Sequence, residues 1–234
     1  MMTQVDFSDT KTAFAHRSDR ALREAHLLFS LMNAPWLVRV GSTLAELAMR
    51  WRLPVTGLIK RTIYRQFCGG ETIEEARRVI DALAAYNIKT ILDYGMEGKE
   101  TEAGFERYAH ALERTLGYAQ ADEDIHIIST KLSGLFRHRL LEKVTAGETL
   151  NTNEQAEYDR GVERVDRIAR AARAARIGLH IDAEESWIQG AVDAIAWELS
   201  RRYNDSTPTI INAIQLYRKD RLDFLRDSLA HARD

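Results

Sequence analysis

Four short apolar, β-branched runs, each followed by a segment long enough for a helix, constrain this chain more than any other feature. They are "IKTILDY" (88–94), "DIHIISTKL" (124–132), "GLHIDA" (178–183) and "TIINAIQLY" (209–217). The intervening and following segments include "ETEAGFERYAHALERTLGYAQ", "EQAEYDRGVERVDRIARAARAAR", "SWIQGAVDAIAWELSRRYN" and "DRLDFLRDSLAHA", which read as helices. In the third of these, Trp187, Val192, Ile195 and Leu199 are expected to face inward. Alternation of this kind predicts a parallel sheet with right-handed crossovers, an α/β fold. Four βα units amount to half of an eight-fold barrel.

The preceding residues lack β alternation and read as helical. Ser18 caps a segment in which Leu22, Ala25, Leu28, Phe29 and Met32 recur at helical spacing. Pro35 opens the next helix, and Pro54 closes one and opens another. Gly69 and Gly70 read as a helix stop and turn, since "FCGGE" fits no phosphate-binding glycine motif. The capping box of Thr72 and Glu75 then predicts a helix over 72–87. The expected division is a helical segment, 1–66, followed by a barrel portion, 67–234.

Composition narrows the function classes. A chain of 234 residues with net charge −2 is long enough for one full core and has no general attraction to nucleic acid. Arg164, Arg167, Arg170, Arg173 and Arg176 are spaced by three, so they precess by about 60° per step and predict a solvated outer helix face. The single cysteine, Cys68, forms no internal disulfide, fits a reducing compartment and is expected to be a small buried filler. The first residues lack the apolar core of a signal peptide. No run approaches the ~20 apolar residues of a spanning helix. His126 and His180 have no further ligand at metal spacing and are expected in the core or wall.

Chemistry is expected where each apolar run ends, because parallel α/β sheets gather functional groups at the C-terminal ends of their strands. Those ends read Asp93-Tyr94, Lys131, Asp182 with Glu184, and Gln215 with Tyr217. Singly, each has a structural explanation. Lys131 could snorkel. Ser186 could cap a helix whose dipole favours the acids of "DAEES" by about 0.3–1 kcal/mol each. Together, a cation, a carboxylate cluster and an amide at matching depth point to a site.

"TILDYGMEG", "STKLSGL", "HIDAEES" and "INAIQLY", in that order at four strand ends, resemble the FAD-dependent proline dehydrogenase family, which has a (βα)8 TIM-type barrel. The resemblance covers roughly residues 67–220, and the helical segment resembles the one preceding the barrel in single-function bacterial members. It implies hydride transfer from L-proline to FAD, giving pyrroline-5-carboxylate, with electrons passed to a membrane quinone. Carried over residue by residue, Lys131 helps hold the substrate carboxylate and Asp93 lines the substrate pocket. Glu97 matches a gating carboxylate that pairs with a substrate-binding arginine. Asp182 is the active-site aspartate, the Ala183 backbone lies against the flavin, and Gln215 hydrogen-bonds the isoalloxazine edge. The implied location is cytoplasmic, with peripheral association of the intact enzyme at the inner membrane.

The family's later strands and its final helix have no counterpart in the sequence. The chain therefore reads as the first half of the barrel: a fragment, a truncated gene product or part of a split enzyme. Its expected partner is the missing C-terminal half or a second copy of itself. The alternative reading is a non-catalytic half-barrel that self-associates or binds a partner. The first and fourth strands are expected at open edges, with Ile128, Ile181 and Ile214 on an inner face that opposing strands would cover.

Overall fold

The computed structural model describes residues 6–51, 53–95 and 100–233. The chain forms two compact units, residues 1–88 and 89–234. Helix 73–84 thus groups with the N-terminal helices, although the sequence division lies at 66/67.

The first unit is helical among its described residues. Its helices are α1 (Thr10–Ala13), α2 (Asp19–Met32), α3 (Pro35–Arg50), α4 (Thr56–Ile59), a π-helical turn (Lys60–Tyr64), α5 (Arg65–Phe67) and α6 (Ile73–Ala84). Ser18 caps α2 by accepting from Ala21 N–H, and Pro35 occupies the first turn of α3. Thr72 Oγ1 accepts from Glu75 N–H, but the Glu75 carboxylate accepts from Glu71 N–H rather than from the cap residue. Gly70 allows this close turn, since a Cβ there would lie 2.6 Å from that of Glu75. Cys68 is exposed, contrary to its expected burial, because it follows the last residue of α5 in extended backbone.

The second unit runs β1 (Thr90–Asp93), α7 (Glu102–Gln120), β2 (Ile125–Thr130), a 3-10 turn (Leu132–Gly134), α8 (His138–Thr145), α9 (Thr152–Ala175), β3 (Gly178–Ile181), α10 (Gln189–Tyr203), β4 (Ile210–Asn212) and α11 (Arg221–His231). The sheet is parallel throughout in the order β1-β2-β3-β4, leaving β1 and β4 at its edges. β4 is shorter than its sequence run. Ala213 N–H still reaches Ile181 O at 3.0 Å, but the chain then turns, so Gln215 and Tyr217 lie beyond the strand.

Pairing places Asp93 beside Ser129 and Ser129 beside His180, while Ile128 pairs with Leu179 and Thr130 with Ile181. Alternation then separates two faces. Ile128, Leu179 and Ile181 are fully buried on the face packed by α7, α9 and α10. Ile128 and Ile181 are therefore not inner-face residues, and Ile214 follows the end of β4. The opposite face carries Ile91, Ile127, Ile211 and the polar strand ends. Ile127 and Ile211 close over Gly178 there, at 3.1 and 3.2 Å from where its Cβ would stand.

Only part of the arginine series is solvated: Arg170 and Arg176 are exposed, whereas Arg164 and Arg167 turn to α7. Arg164 is buried, pairs with Glu102 and with Glu106 at 2.8 Å, and donates to Leu135 O at 3.0 Å. Arg167 joins Glu106 and Glu113 at 2.8 and 2.7 Å. These arginines tie α9 to the acidic face of α7, a partner 54 or more residues earlier that local spacing does not reveal. Gly161 makes room for the Phe136 ring against α9. On α10, Val192, Ile195 and Leu199 are buried as expected, whereas Trp187 is exposed because the helix starts only at Gln189. Ser186 does not cap it; Thr145 Oγ1, from α8, accepts from Ala191 N–H at 2.9 Å.

Candidate active site

The strand ends converge on a cleft of about 1130 Å³, lined by residues that include Asp93, Tyr94, Tyr108, Lys131, Ala183, Glu184 and Gln215. In its lining, Lys131 Nζ donates to Asp182 Oδ2 at 2.6 Å. The lysine side chain is 51% exposed and already has a counter-charge within the chain. The hydrogen bond to Asp182 raises the Lys131 pKa; partial burial opposes this, and the charges of Asp182, Asp93 and Glu184 add to it.

The other oxygen of Asp182 is held as well. Ser129 Oγ donates to Oδ1 at 3.1 Å, and His180 Nδ1 lies 3.1 Å from the same atom and from Ser129 Oγ. Behind Lys131, Tyr108 reaches from α7. Its hydroxyl accepts from Lys131 N–H at 3.4 Å and lies 3.4 Å from Thr130 Oγ1. Burial raises the Tyr108 pKa, so the phenol stays protonated across neutral pH. Its ring stacks on Tyr94 with centroids 6.1 Å apart, and Gly134 leaves room for it.

The "DAEES" acids have separate tasks. Glu184 accepts from Ser133 N–H at 3.0 Å, joining the turn after β2 to the tip of β3. Its own N–H donates to Gln189 Oε1 at 2.7 Å, and its carbonyl accepts from Gln215 Nε2 at 3.2 Å. Glu185 lies 3.6 Å from His138 Nε2. No acid occupies the first turn of α10, so helix-dipole stabilisation does not explain them.

Asp93, Lys131, Ala183 and Gln215 thus line one cleft, and Asp182 holds the lysine. Glu97 lies outside the described residues. Ser129, His180 and Tyr108 were not singled out as site residues from sequence. The first two could have been found by phase, since Ser129 alternates with Lys131 and His180 with Asp182. Tyr108 sits in a helix whose spacing reads as ordinary core. His126, by contrast, is exposed at the start of β2.

The proline dehydrogenase family model matches residues 76–234, which contain the whole cleft. The chain belongs to the proline dehydrogenase family. That is a family of oxidoreductases. Among curated relatives, the carbapenem antibiotics biosynthesis protein CarD of Pectobacterium carotovorum is 28% identical over 71% of this chain and 44% of its own length. The mitochondrial proline dehydrogenase 1 of Dictyostelium discoideum is 25% identical over 74% of this chain and 37% of its own length. The chain therefore spans less than half the length of these two relatives. Among solved structures, proline utilization A from Bdellovibrio bacteriovorus superposes with a TM-score of 0.61 at 12% identity, covering 97% of this chain and 25% of that one. At that identity the likeness concerns the fold, four βα units of a TIM-type barrel.

Proposed function

We propose that this chain forms the substrate-facing wall of a site that oxidises L-proline with FAD. The Lys131–Asp182 pair carries the reading. Proline presents a carboxylate and a secondary ammonium on neighbouring atoms. Lys131 meets the carboxylate by a charge-assisted hydrogen bond, while Asp182 and Asp93 balance the positive charges. The family resemblance gives Glu97 the role of gating carboxylate. Held this way, the substrate is oriented before reaction, and orientation is the main contribution a protein makes to cofactor-borne redox chemistry.

The residues present fit a flavin. The cleft volume accommodates a ring system beside a small amino acid. Gln215 uses its amide N–H on Glu184 O, and among the described residues its Oε1 accepts no hydrogen bond, leaving an acceptor for a ring N–H. The Ala183 backbone borders the same space. FAD, when bound there, supplies hydride acceptance and onward transfer of electrons to a quinone, with pyrroline-5-carboxylate as product. We assign the intact enzyme to the cytoplasm, peripheral to the inner membrane that holds its quinone acceptor. Among the described residues, no helix is long and apolar enough to cross one.

The open sheet face favours a covering partner. Ile91, on the face that carries the site, is 52% exposed. We assign the cover to a complementary half-barrel or to a second copy, with residues 67–234 as the barrel portion. The alternative, a non-catalytic self-associating module, shares this surface but requires no redox turnover. Anaerobic absorbance separates the two. The chain with FAD, alone and with a complementary half-barrel supplied, is expected to bind flavin and lose its visible absorbance when L-proline is added. Bound flavin that proline never bleaches, or no flavin retained in either form, overturns the enzymatic reading.

A further inference from the structure

We propose that His180 is a positioning residue: its Nδ1–H donates to Ser129 Oγ and so directs the serine proton to Asp182 Oδ1, which orients the Asp182 carboxylate so that Oδ2 faces Lys131. The inference deepens the proposed function and rests on its assignment of Lys131 and Asp182 to the substrate.

The argument is one of proton counting. Three atoms, Ser129 Oγ, His180 Nδ1 and Asp182 Oδ1, lie mutually 3.1 Å apart. An ionised carboxylate only accepts, and a hydroxyl has a single proton to give. Ser129 gives that proton to Asp182 Oδ1. If Nδ1 were unprotonated, its lone pair would face both a carboxylate oxygen and a hydroxyl oxygen without a proton between them. With the serine proton on Asp182, the Ser129–His180 hydrogen bond needs its hydrogen on Nδ1, so this arrangement assigns the Nδ1–H tautomer to the neutral imidazole.

The register explains why these groups meet. Ser129 and His180 are directly paired on β2 and β3, and Lys131 and Asp182 follow each of them by two residues on the same face. One oxygen of Asp182 is therefore fixed from below, by strand residues that cannot swing away. The other is left for the half-exposed lysine, whose raised pKa has the Asp182 hydrogen bond as its largest cause. Deleting a hydrogen bond to a charged group weakens what that group supports by about tenfold or more.

The test compares His180→Leu, which removes the donor, with His180→Asn, whose side-chain amide can place an N–H near the position of Nδ1. The full chain is labelled with 15N-histidine and with 13C,15N-lysine for solution NMR. The expected outcome is a wild-type His180 protonated at Nδ1. Lys131 is expected to titrate at lower pH in His180→Leu, with recovery in His180→Asn. L-Proline affinity is expected to fall about tenfold in His180→Leu and to recover in His180→Asn. A wild-type Nε2–H tautomer, or a Lys131 titration unmoved by His180→Leu, overturns the inference. If the tautomer and titration behave as expected but neither His180→Leu nor Lys131→Met changes proline affinity, the positioning role stands and the proline assignment fails. Amide dispersion matching the wild type shows that each variant remains folded.

Discussion

The two faces of the four-stranded sheet differ more than any other two regions of the second unit. On one, Ile128, Leu179 and Ile181 are fully buried under helices, and the buried Thr130 beside them meets the Tyr108 hydroxyl at 3.4 Å. On the other, one residue along each strand, Ser129, Lys131, His180 and Asp182 form a connected polar network beside an exposed Ile91. A period of two thus divides labour within single strands. The helix-covered face supplies stability through burial. The open face spends few apolar residues and can hold charge at a depth where neighbouring strands fix its geometry.

The largest effect that would break this comparison is a core truncation. Leu179→Ala is expected to cost about 2–5 kcal/mol in denaturant unfolding, against under about 0.5 kcal/mol for Ile91→Ala. Comparable losses would mean that the open face is buried in solution, by a partner or a second copy. Next comes Arg164→Leu, expected to cost about 2–3 kcal/mol because Glu102 and Glu106 lose a buried partner while remaining partly exposed. A neutral result would show that the α7–α9 tie is only surface decoration. Lys131→Met is expected to change stability by less than about 1 kcal/mol, as an exposed pair does, while weakening L-proline binding about tenfold. Calorimetry measures both, and equal losses of fold and binding would remove the functional division between the faces.

A smaller effect concerns pH. Glu113 is partly buried, which raises its pKa, but hydrogen bonds from His110 and Arg167 outweigh this and leave it lowered. A carboxylate with a depressed folded pKa contributes stability above its unfolded value, and that contribution is lost as pH falls through the folded value. The α7–α9 tie is therefore expected to weaken below the ordinary glutamate value of 4.5. Glu113→Gln is expected to flatten that acid limb in thermal melts. Lys131 behaves oppositely: its pairing holds at neutral pH and is lost only as pH rises past the ordinary lysine value of 10.5.

Much of this fold was legible because strand and helix periods differ. The four runs, their order and the parallel pairing follow from alternation alone, and the strand ends located the cleft. The phase of the strands was misjudged at Ile128 and Ile181. Lys131 lies three residues after Ile128 and Asp182 one after Ile181, both odd offsets, so a face carrying the charged pair cannot also carry those isoleucines. Reading phase from the charged ends would have given Ser129 and His180 at once. Arg164 and Tyr108 were beyond reach for a different reason. Their roles depend on partners on other elements, Glu102, Glu106 and Thr130, which spacing along one helix does not encode. The early end of β4 reflects its edge position, where only β3 supplies backbone partners.

The most direct test is to titrate L-proline, at millimolar concentration and with FAD present, into the 15N,13C-labelled chain and map the shift changes. The account predicts changes concentrated at Asp93, Ser129, Lys131, His180 and Asp182, with Ile128, Leu179 and Ile181 little affected, and loss of the pattern in Lys131→Met. Changes spread equally over both faces, or none at the strand ends in a folded chain, would contradict it.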